Sequence, residues 1–110
     1  MNGSDFRQLL DETSDRLREL TTSKGVEYSN SDDQLANFKR LSQRLGLTPE
    51  AVILVYLTKH LDAIDSFVRT GRVHSEPITG RIDDAILYLV LLKAQIAESH
   101  LSGLVSHCER

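Results

Sequence analysis

Apolar residues recur at helical spacing along the first twenty positions. Phe6, Leu9, Leu10, Leu17 and Leu20 share one face and charged residues fill the other. Ser4 is a capping side chain, and Asp5 puts an acid in the first turn, where the helix dipole favours one. The pattern predicts a helix over 5–21. The stretch TTSKGVEYSNS, 21–31, reads as a loop by its Ser, Thr, Asn and Gly content. Ser31 and Gln34 have capping-box spacing ahead of a second helix over 32–45. Leu35, Phe38, Leu41 and Leu45 are its inward positions, and Gly46 ends it.

Thr48-Pro49-Glu50 is a helix start: a capping hydroxyl, a proline at the first helical position, then an acid. A third helix is expected over 49–70, about 33 Å long at the standard rise, with Gly71 as its stop. GRVHSEPITG, 71–80, reads as a loop, and a fourth helix opens near Arg81 and runs to 99. Its segment AILYLVLL, 85–92, is apolar on nearly every side. A helix of that kind is central in a bundle or covered by another subunit, and a homo-oligomer is the expectation here. No strand alternation, internal repeat or low-complexity tract interrupts the pattern. The expected fold is all-α, a single-domain bundle of about four helices over 1–110, with 100–110 as a tail.

Polar residues inside these apolar faces carry what chemistry there is. On a wheel of the third helix, Ile53, Tyr56, Leu57, Ala63, Ile64, Phe67 and Val68 form one arc, and His60 falls near its middle. Thr58, Asp62, Asp65 and Arg69 lie opposite, with Lys59 near the boundary. Surface ion pairs are expected between Lys59 and Asp62, and between Asp62 and Arg69. A buried imidazole must find partners for its nitrogens or lose about 1–3 kcal/mol. It either sits in the core, bonded to a hydroxyl or carbonyl, or lines a polar pocket. On the fourth helix Arg81, Asp84, Tyr88 and Gln95 share one stripe. A guanidinium, a carboxylate and a phenol on a strongly apolar helix are costly unless wet, paired or holding a ligand. Glu76, in the preceding loop, is placed to reach the same region.

Composition narrows the classes. The 110 residues carry a net charge of −3, which argues against general binding of a nucleic-acid polymer. The charge is uneven: −4 over 1–34, +3 over 35–81 and −2 over 82–110, so the middle suits a small anion such as a phosphate. Cys108 is the only cysteine, which leaves no intrachain disulfide, and the four histidines show no zinc spacing with it. The first residues lack the basic-then-apolar order of a signal peptide, and an eight-residue apolar run is too short to span a bilayer. A cytoplasmic protein with no membrane partner is expected. No nucleophile triad or P-loop is present. Carboxylates at 62, 65, 83 and 84 could hold magnesium over a phosphate only if a neighbouring subunit covered the outer face of the third helix.

KGVEYSNSDDQLANFKRLSQRLG, VYLTKHLDAIDSFVRTG and SEPITGRIDDAILYLVLLKAQIAE, in that order, cover about 24–98. This series resembles the small phage-encoded helical proteins grouped as nucleotide-modification-associated or MazG-like domains. The shared features are Glu-Tyr before an Asn-Phe helix, a Lys-His helix, and a Ser-Glu-Pro loop leading into Gly-Arg-Ile-x-Asp and a Tyr. The resemblance implies an all-α, oligomeric protein. The wider class hydrolyses nucleoside triphosphates to monophosphates with magnesium, through Glu-x-x-Glu on one helix and Glu-x-x-Asp on another. This chain has Asp62-x-x-Asp65 and Arg81-x-x-Asp84 instead. Shorter acids and an added base weaken a metal cluster and favour an anion.

The expectation that follows is a phage protein, in the host cytoplasm, that sequesters a nucleotide-derived signal of bacterial immunity. A cyclic dinucleotide or cyclic ADP-ribose derivative is the ligand class, and it is held without cleavage. Arg81 and Lys59 meet phosphate, Tyr28 and Tyr88 stack on a base or close over a ribose, and Asn37, His60 and Glu76 read hydroxyls or base edges. Asp84 completes the set, with no catalytic residue, metal or cofactor. The alternatives are a magnesium-dependent nucleotide pyrophosphohydrolase using Asp62, Asp65, Glu76 and Asp84, and a helical protein-interaction module with no small ligand.

Overall fold

A computed structural model describes residues 1–28, 33–72 and 77–102, with side chains at 1–22, 33–72 and 77–100. Every regular element among the described residues is a helix: α1 (Gly3–Tyr28), α2 (Ala36–Leu45), α3 (Pro49–Thr70) and α4 (Ile78–Ser102). They divide into two compact units, Met1–Gln34 and Leu35–Arg110.

The first unit is α1. Its cap is Asn2, whose Oδ1 accepts from the Asp5 N–H at 2.8 Å, and not Ser4, which lies inside the helix. The expected loop from 21 is helical as far as Tyr28. Thr21 and Thr22, which read as loop residues, both turn their hydroxyls back to the Arg18 carbonyl, at 2.7 and 3.1 Å. That local bond satisfies the hydroxyls within the helix. The capping serine expected at Ser31 lies outside the described residues.

The second unit is built on α3. The Thr48 hydroxyl accepts from the Ala51 N–H at 3.1 Å, as its sequence demands. Gly46 and Gly71 end α2 and α3 in left-handed conformations, at φ 71° and 73°. Ser42 O takes the N–H groups of Gly46 and Leu47, the second at 3.0 Å. Gly71 N–H bonds Phe67 O at 2.7 Å. These bonds satisfy carbonyls that the helices would leave open. α2 starts at Ala36, later than the expected 32. Leu35 takes the position before it, its carbonyl accepting from Lys39 N–H at 3.1 Å while its side chain enters the core. α4 starts at Ile78, ahead of the expected 81. The Pro77 carbonyl accepts from both Gly80 and Arg81, so Gly80 belongs to the first turn.

Leu35, Phe38, Val52 and Ile53 form the buried centre of this unit, with Leu41, Tyr56, Tyr88, Leu91 and Leu92 packed against it. α3 packs on α4 and on α2. Ser99 Oγ donates to Glu50 Oε2 at 3.1 Å, so the end of α4 lies by the start of α3. Lys39 pairs with Glu98 and ties α2 to the same end of α4.

Two apolar expectations are corrected. Leu45 is exposed, because it holds the last helical position before the chain turns at Gly46. Val68 is exposed, because it lies at the edge of the apolar arc in the last turn of α3. Of the two covers expected for α4, the described residues of this chain supply only a partial one: Ala85 and Leu87 are buried, whereas Ile82, Leu89, Val90 and Ile96 are exposed. Among the described residues no helix is long and apolar enough to cross a membrane.

Candidate functional site

α3 supplies an imidazole and α4 a cation, a carboxylate and a phenol, all on the faces that the two helices turn toward each other. His60 and Asp84 are 7% and 8% exposed, and Arg81 and Tyr88 are half-buried. His60 Nδ1 lies 3.5 Å from Arg81 Nη1 and 3.9 Å from Asp84 Oδ2. Both contacts converge on one nitrogen. A guanidinium only donates and a carboxylate only accepts when ionised. Nδ1 can therefore accept from Arg81 only when it carries no proton, while Asp84, at 3.9 Å, is at ion-pair rather than hydrogen-bond distance. Arg81 and Asp84 reach it together because three residues apart on α4 places them on one stripe.

Aromatic rings continue the site along α3. Tyr88 lies in stacked geometry against His60, with centroids 5.3 Å apart and planes 24° apart. It is also stacked with Tyr56, at 5.9 Å and 8°. Phe38 of α2 meets Tyr56 and Tyr88 edge-on, at 5.9 and 6.3 Å. Such pairs contribute about 0.5–1.5 kcal/mol beyond the area they bury. Tyr88 thus stacks within the chain and fixes the ring of His60 against α4.

Of the expected binding residues, His60, Arg81, Asp84 and Tyr88 are brought together. Lys59 is exposed and belongs to the outer surface of α3. Asn37 accepts from Arg40 Nη2 at 2.7 Å, a local pair on α2. Glu76 and the side chain of Tyr28 lie outside the described residues. Tyr56 and Phe38 are additions: the sequence reading took both as plain core, and only the crossing of α2, α3 and α4 makes them one aromatic cluster with Tyr88. The signal available in the sequence was the spacing of Tyr56 and His60, four residues apart and hence on one face of α3.

The outer carboxylates do not join this group. Asp65 pairs with Arg69 Nε at 3.1 Å on the exposed side of α3, where Arg69 had been expected to meet Asp62. The i,i+4 spacing wins because neighbouring turns bring those side chains into direct reach, which i,i+7 does not. Among the described residues no group of three or more His, Cys, Asp or Glu side chains is placed to hold a metal ion.

A second polar group lies at the other end of α4. Gln95 is 3% exposed, and its Nε2 donates to Ser99 Oγ at 3.2 Å. Ser99 spends its proton on Glu50, which fixes the direction of the chain from Gln95 to Ser99 to Glu50. Gln95 Oε1 is buried with no hydrogen-bond partner among the described residues.

No protein-family model, curated protein or solved structure matches this chain.

Proposed function

We propose that this chain is a nucleotide-binding protein that sequesters a nucleotide-derived signal without cleaving it. The observation that carries the reading is the convergence of Arg81, His60, Asp84 and Tyr88 on the inner faces of α3 and α4. A guanidinium is a bidentate donor to phosphate oxygens. An imidazole beside it offers a hydrogen bond to a hydroxyl or a base edge, and a carboxylate accepts from a ribose hydroxyl or an exocyclic amine. The pattern of motifs resembling MazG-like phage domains supports the same ligand class. On this reading the protein works as a homo-oligomer in the host cytoplasm, and the ligand is of the cyclic dinucleotide or cyclic ADP-ribose type. Binding is favoured over magnesium-dependent hydrolysis because Asp62 and Asp65 are exposed on α3 while Asp84 is buried by His60.

Thermal melting against triphosphates, monophosphates, cyclic dinucleotides and cyclic ADP-ribose isomers, with and without magnesium, tests this. Ligand at 100 times its dissociation constant adds about 2.7 kcal/mol. A metal-independent shift with the ligand recovered intact is expected. A shift seen only with magnesium, with the ligand consumed, would make the protein a hydrolase. No shift with any nucleotide would leave a helical interaction module.

A further inference from the structure

α3 and α4 each carry a row of apolar side chains left open to solvent. Leu54, Leu61 and Val68 follow one another by steps of seven residues, and so do Ile82, Leu89 and Ile96. A step of seven nearly closes two helical turns, so each set forms a line along its helix. All six residues are between 39% and 75% exposed. Both rows lie on the same flank of the helix pair. At about 100° per residue, the α3 row falls about 140° round from Tyr56, which meets Phe38 of α2. The α4 row falls about 180° round from Glu98, which pairs with Lys39 of α2. His60 and Tyr88, where α3 and α4 meet, lie in between, so the rows occupy the side away from α2.

The rows are also in register. The two helices run antiparallel, with Glu50 by Ser99 and His60 stacked on Tyr88. Leu54 therefore lies level with Ile96, and Leu61 with Leu89, each to within about 3 Å along the axis. The next step of seven brings Val68 level with Ile82. Three apolar layers result, on a face about 21 Å long at the helical rise. At about 10 Å between axes, a face two helices wide holds roughly 400 Å². That is half of the roughly 800 Å² that each partner gives to a standard interface, the remainder being polar rim.

The rim carries both signs of charge, and this says what covers the face. Beside its row α3 bears Asp62, Asp65 and Arg69, all exposed and acidic on balance, whereas α4 bears exposed Lys93. An apolar centre offers nothing to a phosphate backbone, and an acidic rim repels an anionic bilayer. A twofold axis parallel to the helices sets α3 of each copy on α4 of the other. Acidic rim then lies beside lysine, and each apolar layer meets its counterpart. A twofold axis across the helices would set α3 on α3 and bring Asp62 against its own copy. We infer that Leu54, Leu61, Val68, Ile82, Leu89 and Ile96 form the interface with a second copy of this chain, α3 of each lying antiparallel on α4 of the other. The inference rests on the homo-oligomer of the proposed function and assigns its interface.

The test uses the full chain. Sedimentation velocity compares the wild type, Leu89→Asp and Val90→Asp, with helix content followed by circular dichroism. Leu89 and Val90 are neighbours at 51% and 50% exposure, but Val90 lies about 100° round the helix, off the row. Leu89→Asp sets an acid in the middle layer, toward the acidic rim of the other copy. It is expected to weaken self-association about a hundredfold and lower the mass. Val90→Asp is expected to keep the mass of the wild type. In a Cys108→Ser background, chains carrying Leu61→Cys and Leu89→Cys are then oxidised alone and mixed. The mixture is expected to cross-link readily and each chain alone poorly. A monomeric wild type, equal masses for folded Leu89→Asp and Val90→Asp, or stronger linking of Leu61→Cys to itself than to Leu89→Cys overturns the inference. Should Leu89→Asp fail to fold, the cysteine pairs decide. Nucleotide binding is read on Leu89→Asp and on Arg81→Ala, which is expected to lose the ligand and keep the mass, so the interface and the ligand site stand or fall separately.

Discussion

His60 and Arg81 meet across α3 and α4, with Nδ1 of one 3.5 Å from Nη1 of the other. The contact joins a buried imidazole to a half-buried guanidinium, and Asp84 waits on the same nitrogen at 3.9 Å. On the proposed reading, a ligand anion that drew the guanidinium toward itself would leave Nδ1 facing the carboxylate alone.

Arg81→Ala is therefore expected to abolish the nucleotide-induced rise in melting temperature while leaving helix content and oligomer mass as they are. Arg81→Lys keeps the charge but loses the planar fork, and about a tenfold weaker affinity is expected. Isothermal titration of both variants checks this, and full binding by Arg81→Ala would remove the residue from the site.

The aromatic cluster makes a stability prediction that is independent of any ligand. Tyr88→Ala removes a ring packed on His60, Tyr56 and Phe38 and is expected to cost about 3–5 kcal/mol in urea unfolding. A double-mutant cycle of Tyr56→Ala and Tyr88→Ala should show a coupling of about 0.5–1.5 kcal/mol. Additive losses would mean that the two rings contribute separately, with no mutual stacking term.

Gln95 offers a contrast. Its Nε2 has Ser99 and its Oε1 has no partner among the described residues. Gln95→Leu keeps the volume, removes the unbonded acceptor and leaves Ser99 free to donate to Glu50. A change within about 1 kcal/mol, in the stabilising direction, is expected from chemical denaturation. A loss of several kcal/mol would show that the amide is fully satisfied.

Caps give the simplest check on the architecture of the second unit. Thr48→Ala is expected to cost about 1 kcal/mol through loss of the bond to Ala51 N–H. Gly46→Ala and Gly71→Ala place a side chain at positive φ, with nothing near the new Cβ, so each should cost about 1–2 kcal/mol from backbone strain alone. Thermal unfolding of the three variants measures them separately.

Much of this was legible in the sequence because the signals are local. Thr48-Pro49, Gly46 and Gly71 act through bonds to residues a turn away, so they fix the end of α2 and both ends of α3 without help from the rest of the chain. The 3.6-residue period likewise placed His60 among apolar neighbours and put Arg81, Asp84, Tyr88 and Gln95 on one stripe. The errors came where a residue type has two uses. Thr21 and Thr22 looked like loop and instead bond their own helix, and Ser4 looked like a cap that Asn2 provides.

By itself, then, the sequence determined that the regular elements among the described residues are helical, where α2 ends, where α3 starts and ends, and the inward direction of His60, since periodicity and capping are properties of neighbours along the chain. Only the tertiary structure decided that His60 meets Arg81 rather than a core carbonyl, and that Tyr56 and Phe38 join Tyr88. It alone decided that, among the described residues, one side of α4 stays exposed at Ile82, Leu89, Val90 and Ile96. Those facts depend on which faces of different helices meet, and a helical period says which residues share a face but not which face lies opposite.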